Sequence, residues 1–203
     1  MKDLFREALA AYAPQSVDAD PAVPRAAVLL LMYEHEGQPH VIFQKRTDHV
    51  EHHKGQISFP GGAADPEDRD LLFTALRETH EEIGVHPDHI DVIGELDQMV
   101  TVSNFRVSPY VGWLSHYPYD WRFSDAEVAY LLEVPLRHLM DPASHIPDRR
   151  TINGRTYVFP SFEWQGDLIW GATARMLSNF LDVLASVPGW GAAPPAPSPF
   201  LSR

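Results

Sequence analysis

Hydrophobic and polar positions change period several times along this chain, and each change marks an element. Leu4, Phe5, Ala8, Leu9 and Tyr12 recur at helical spacing, which predicts an amphipathic N-terminal helix, and an irregular lead-in follows from Pro14 to Pro24. From Ala26 to Tyr33 the chain reads as an apolar strand. A polar turn through Glu36, Gly37 and Gln38 leads to a second strand, His40 to Lys45, so the two runs predict a hairpin. Ile57 to Phe59 reads as a short strand ending at Pro60, Gly61 and Gly62, a tight glycine turn. Helical character then extends from Glu67 to Ile83 and closes at Gly84.

Farther on, Asp91 to Leu96, Val107 to Leu114 and Val128 to Val134 are predicted strands, and Leu136 to Met140 is a short helix behind Pro135. Asn153-Gly154 between two β-prone runs signals a hairpin, because type I′ turns need two residues that tolerate positive φ. Thr173 to Leu184 returns to helical spacing. The pattern divides the chain into a helix and lead-in over 1–24, one domain over 25–187, and a tail over 188–203. Prolines at 194, 195, 197 and 199 break any period in that tail, which is expected to be mobile. Strands mixed with two long helices favour an α/β sandwich over a regular doubly wound sheet.

Composition narrows the function. Among 203 residues, 28 acidic side chains outnumber 16 basic ones for a formal charge of -12, which argues against nucleic acid or anionic lipid as an electrostatic partner. A small anionic substrate then needs a metal ion or a local basic patch. The absence of cysteine excludes disulfides, thiolate nucleophiles and Cys-type zinc sites. No apolar run approaches the roughly 20 residues that cross a bilayer, so a cytoplasmic protein without membrane attachment is expected.

The chemistry concentrates in Arg77-Glu78-Thr79-His80-Glu81-Glu82-Ile83-Gly84-Val85. At about 100° per residue, Glu78, Glu81 and Glu82 share one helical face, while Leu72, Leu76 and Ile83 lie nearly opposite. Such a run can be an ordinary solvated face. Mutual repulsion of three close carboxylates is nonetheless offset by a hard divalent cation, which takes oxygen ligands and meets substrate phosphates. Adjacent glycines in front of the helix let backbone approach a ligand closely.

Together these residues resemble the Nudix box, G-x5-E-x7-R-E-U-x-E-E-x-G-U with U aliphatic, over Gly62 to Val85. Asp68 stands for the first acid, Thr79 for the aliphatic residue, and the span from Gly62 to Arg77 is one residue longer than the consensus. The resemblance implies an α/β/α sandwich with a mixed central sheet and a hydrolase dependent on Mg²⁺ or Mn²⁺. It also implies that Glu78, Glu81 and Glu82 ligate metal with the Gly62 carbonyl, while Arg77 and Asp68 orient helix and loop through an ion pair. Glu127 is the best match for the further acid that such enzymes supply from outside the box, with Glu133 behind it. One of Glu81, Glu82 and Glu127 would activate water.

His53-Lys54-Gly55-Gln56-Ile57-Ser58-Phe59-Pro60-Gly61-Gly62 is similar to the motif that precedes the box in the coenzyme A pyrophosphatase branch. Asn104-Phe105-Arg106-Val107-Ser108-Pro109 and Trp170-Gly171-Ala172-Thr173-Ala174 are familiar from the same branch. This resemblance implies cleavage of coenzyme A into 3′,5′-ADP and 4′-phosphopantetheine. Lys45, Arg46 and Lys54 form a basic group suited to phosphate, with His53, Gly55, Phe59 and Arg106 as further substrate contacts. Glu51 stands where the branch often has arginine. Phe105 and Trp170 are either stacking residues or core. Competing readings are a Nudix pyrophosphatase for ADP-ribose or another nucleoside diphosphate derivative, and a non-catalytic nucleotide-binding module. A homodimer is left open.

Overall fold

The computed structural model describes residues 1–49, 54–152 and 154–190. In chain order the elements are α1 (Lys2–Ala11), β1 (Arg25–His35), β2 (Gln38–Arg46), β3 (Ile57–Ser58), β4 (Gly61–Ala63) and α2 (Leu71–Ile83). A 3-10 turn at Pro87–His89 leads to β5 (Ile90–Glu95), β6 (Met99–Val100), β7 (Arg106–Leu114), β8 (Val128–Pro135) and α3 (Leu136–Met140). After a second such turn at Pro142–Ser144 come β9 (Asp148–Ile152), β10 (Arg155–Phe159), β11 (Phe162–Trp164), β12 (Asp167–Ile169) and α4 (Gly171–Leu184).

Eight strands form a mixed sheet ordered β3-β2-β1-β7-β5, with β4 on β1, β6 on β7 and β8 on β2. Only β1 and β7 run parallel within it; the other pairings are antiparallel. Strand alternation sends successive side chains to opposite faces, and both faces are covered. Leu30, Met32, Val41 and Phe43 pack with Phe5 and Leu9 of α1 and Leu177 and Phe180 of α4. Leu29, Leu31, Tyr33 and Ile42 pack on the other face with Ala75 and Ile83 of α2. This is an α/β/α sandwich around a mixed sheet, as expected. The helix α1 belongs to the core, where Phe5 is fully buried against Trp113, and Lys2 and Arg6 both reach Asp91 of β5.

Several elements differ from the sequence expectation. Helix α2 starts at Leu71, not at Glu67. The Asp70 carboxylate accepts from the Phe73 backbone N–H at 2.7 Å, and Asp68 accepts from the Asp65 N–H at 3.0 Å. Short acidic side chains here bind backbone in place of a helical turn. Gly61 and Gly62, expected as a turn, form the strand β4, opposite Val28 and Ala27. The hairpin of β11 and β12 lacked a recognised signal; it turns on Gln165 and Gly166, both at positive φ. Strands β9 and β10 flank the predicted Asn-Gly turn, of which Asn153 lies outside the described residues. The tail expected to be mobile from Pro188 has exposed Pro188 and Gly189 and then a packed residue: Trp190 is buried, edge-on to Phe5 at 5.3 Å and beneath Arg137. Residues 191–203 lie outside the described part.

Candidate active site

Helix α2 is held at both ends. Asp70 caps its start, and Gly84 ends it at φ 76, where a Cβ would lie 2.5 Å from the Arg122 carbonyl oxygen. The face turned to the sheet carries Thr74, Ala75, Thr79, Glu82 and Ile83. Leu72 and Leu76, expected to be the buried side, are only half-buried. Thr79 fills the aliphatic slot because its hydroxyl donates back to the Ala75 carbonyl at 2.6 Å, leaving its methyl for the interior.

Glu82 therefore enters the protein instead of facing water. It is 2% exposed; Oε2 accepts from Gln44 Nε2 at 2.7 Å and from the Gly61 N–H at 2.8 Å, and Oε1 accepts from Arg46 Nη1 at 3.1 Å. Burial pushes its carboxyl up to about 7 despite the Gly61, Gln44 and Arg46 contacts, and the charge of Glu78 adds to the rise. Glu78 is half-buried beside β4. A Cβ on Gly62 would stand 2.5 Å from the Glu78 carboxylate, so only glycine permits this approach. Burial raises the Glu78 carboxyl as well, Arg77 opposes that, and the charges of Glu81 and Glu127 push it further up. That last effect places Glu127, exposed on the segment before β8, within electrostatic reach of the helix.

Arg77 organises the loop. Its Nε and Nη2 each lie 3.0 Å from the two oxygens of Asp68, and Nη1 reaches Glu78 and Glu81 at 3.0 Å. The bidentate guanidinium holds the Asp68 carboxyl well below the usual carboxylate range. The extra residue between Gly62 and Arg77 is absorbed in the loop ahead of Leu71, and the expected ion pair survives it.

The three helical glutamates are thus not gathered around one point. Glu81 is exposed on Arg77, Glu78 lies beside Gly62, and Glu82 is folded onto the sheet. Among the described residues, no three histidine, aspartate or glutamate side chains already close as a metal group. Donor chemistry nevertheless fits a hard cation: carboxylate oxygens of Glu78 flank a glycine backbone, and the charges of Glu78, Glu81 and Glu127 repel one another across this face in the protein alone.

Other expected contacts fall in different places. Arg46 faces the site but is engaged with Glu82, and its Nε is buried with no partner in the protein. Lys45, one residue earlier, points to the opposite face and pairs with Asp167 at 2.9 Å. Phe59 is a core residue, 1% exposed and stacked on Phe43 at 4.9 Å, not a substrate contact. Lys54 is exposed, and Gly55 adopts φ 63 above Asp48. Arg106 shares the alternation of Tyr110 and Leu114, on the α2 side, and its Nε is also without a partner. Glu133 is taken by the Tyr33 hydroxyl at 2.5 Å. Phe105 packs on the core, and Trp170 lies 5.4 Å from the Arg150 guanidinium. His53 lies outside the described residues.

Gln44 was missed from sequence. It is fully buried, holds Glu82, and keeps Oε1 unpaired; the signal available was an amide inside the otherwise apolar strand Val41 to Gln44.

An acidic helix face is thus set against a glycine strand, on a mixed sheet held between helices. A model of the NUDIX domain family matches residues 23–175. The Nudix hydrolase NudL of Enterobacter sp. (strain 638) is 36% identical over 159 residues, 75% of this chain and 79% of that protein. Its counterpart in Yersinia pestis (strain Pestoides F) is 35% identical over 163 residues, 78% of this chain and 79% of that protein. The MutT/nudix family protein from Enterococcus faecalis shares the fold with a TM-score of 0.56, at 13% identity, over 84% of this chain and 65% of that one. The chain belongs to the Nudix hydrolase family and is an enzyme acting on pyrophosphate bonds.

Proposed function

We propose that this enzyme hydrolyses the pyrophosphate bond of coenzyme A, or of an acylated or oxidised derivative, to 3′,5′-ADP and the corresponding 4′-phosphopantetheine. One observation carries the choice of substrate: the segments that resemble the coenzyme A branch are contiguous in space. Ala27 of β1 pairs with Gly62 on one side and Ser108 on the other. Thr173 Oγ1, from the third segment, donates to the Ile57 carbonyl of the first at 3.1 Å. Two stretches distant in sequence thus flank β1 beside the acidic helix, and the third is bonded to the first at β3.

Glu78, Glu81 and Glu82, with the Gly62 carbonyl, would hold Mg²⁺ or Mn²⁺, which when bound neutralises charge on phosphoryl oxygens and acidifies water. Attack of water forms one P–O bond and breaks the anhydride P–O bond, and the water proton passes to a carboxylate among Glu81, Glu82 and Glu127. Burial raises the Glu82 carboxyl toward neutral pH, which supports a proton-accepting role for it among the three. Arg77 keeps the loop and helix in register through Asp68. Arg46 and Arg106, each with an unpartnered Nε, and the exposed Lys54 are the cations for substrate phosphate.

Incubation with coenzyme A and with ADP-ribose, in isotope-labelled water with Mg²⁺ or Mn²⁺, tests the proposal. Label in 3′,5′-ADP or phosphopantetheine, with coenzyme A turned over faster, is the expected result. Faster hydrolysis of ADP-ribose would replace the substrate, and no turnover of either would point to a binding module.

A further inference from the structure

The two strands that run parallel carry a pair of arginines where they begin. Arg25 opens β1, Arg106 opens β7, and the register sets them side by side. The next pairings on the same face are Ala27 with Ser108 and Leu29 with Tyr110, so both arginines belong to the α2 side of the sheet. Like charges on neighbouring strands, about 4.8 Å apart at the backbone, repel each other. Among the described residues neither side chain has an ion-pair or hydrogen-bond partner, and the Nε of Arg106 is buried without an acceptor. Their row across the sheet holds no acid: Val100 pairs with Arg106, and the Ala64 N–H donates to the Arg25 carbonyl at 2.9 Å.

An unmet donor and an unrelieved repulsion both favour an incoming anion. Access is open, since Arg25 is exposed and Arg106 partly so. The rung one step inward is Ser108, Ala27 and Gly62, all small, and Gly62 lies against the Glu78 carboxylate. A strand rises about 3.3 Å per residue, so the arginines stand roughly 7 Å along the sheet from the rung that faces Glu78.

We propose that Arg25 and Arg106 clamp a phosphate monoester that the substrate carries outside its scissile anhydride. On the coenzyme A reading, on which this inference rests, that group is the 3′-phosphate. It lies one sugar ring away from the anhydride, on the scale of the step from Gly62 to the arginines. At neutral pH it is nearly a dianion with three terminal oxygens, and each planar guanidinium presents it with paired N–H donors. The Arg106 Nε thereby gains an acceptor. Arg25 becomes the residue that distinguishes coenzyme A from its 3′-dephosphorylated form and from ADP-ribose, neither of which bears charge at that place.

Steady-state kinetics with coenzyme A and dephospho-coenzyme A, in the parent chain and in Arg25→Ala, tests the clamp. The parent should favour coenzyme A in kcat/KM by about 10- to 100-fold, the range for hydrogen bonds to charged groups, chiefly through KM. Arg25→Ala should bring the two substrates close to equality by raising KM for coenzyme A far more than for the dephosphorylated form. Arg25→Lys, which keeps the charge and loses the fork, should fall between. Calorimetry reads the same contact without turnover: 3′,5′-ADP should bind the parent more tightly than 5′-AMP, and Arg25→Ala should remove that margin. An equal loss for both substrates marks a structural role and overturns the clamp, as does a 3′-phosphate preference unchanged in Arg25→Ala. Failure to hydrolyse coenzyme A at all would instead overturn the substrate assignment, and the clamp then stands or falls on the two nucleotide affinities.

Discussion

Phe43 and Gln44 are neighbours on β2 and belong to different worlds. Phe43 points into the face covered by α1, α3 and α4, where its neighbours are aliphatic and aromatic and the buried hydroxyl of Thr173 is bonded to the Ile57 carbonyl. Gln44 points into the face covered by α2, which also buries Thr74, Thr79, Glu82 and Ser108. One face is packed for stability, and the other buries polar groups whose unmet bonds include Gln44 Oε1. Buried polar groups cost free energy unless paired, so the α2 face carries strain that the opposite face must offset. The two sides of a single sheet thus divide cohesion from chemistry.

The sharpest way to break this division is Glu82→Gln. Turnover should fall by about 10²–10⁴-fold, the range for loss of an acid–base group, with the fold kept in circular dichroism and a lower thermal stability, because the amide turns an N–H₂ toward Arg46 on one side or toward Gln44 and Gly61 on the other. A large loss of stability with normal turnover in the folded fraction would erase the contrast. On the other face, Phe43→Ala should cost about 3–5 kcal/mol in denaturant unfolding, with turnover per folded molecule nearly unchanged. Gln44→Leu tests the boundary. It removes the donor to Glu82 and fills an unsatisfied site with carbon, so turnover should drop about tenfold and the Mg²⁺ requirement rise, with stability equal or higher. Steady-state kinetics across a Mg²⁺ series, together with chemical denaturation, reads both.

The smallest effect lies at the rim, where Asp91 holds Lys2 and Arg6. Its carboxyl is pulled down by the Lys2 bond and by Arg6, against a burial penalty. An acid with a depressed folded pKa stabilises the fold above its unfolded value of about 3.9 and loses that contribution as pH falls further. The pair is more than a third exposed, so Asp91→Asn should cost only about 0.2–1 kcal/mol at neutral pH. The mutant and parent unfolding curves should converge as pH falls below the unfolded value and through the depressed folded one.

Much of this was legible in sequence. The β1–β2 hairpin, α3 and the core of α2 follow from the spacing of apolar residues, since burial enforces period. The Arg77–Asp68 pair was expected from the resemblance to the Nudix box and not from charge spacing, since Arg77 also meets Asp65, Glu78 and Glu81. The start of α2 was not legible: Asp68 and Asp70 compete for backbone N–H groups in ways a helical period cannot express. Lys45 and Arg46 show the same limit. Adjacent cations look like one basic group in sequence, yet a strand sends them to opposite faces. Position on the acidic face also did not reveal which glutamate enters the interior; that depended on Gln44 and Gly61 waiting across the gap.

Phe5, near one end of the described chain, and Trp190, at the other, are packed ring against ring. The described part of the chain therefore closes on itself, and a short tether from Trp190 to the start of α1 could weld it there while a fresh opening is cut at the exposed Gly154. Such a permuted protein would keep every strand neighbour. Stopping synthesis just ahead of Trp190 would instead leave α1 with an uncovered aromatic ring.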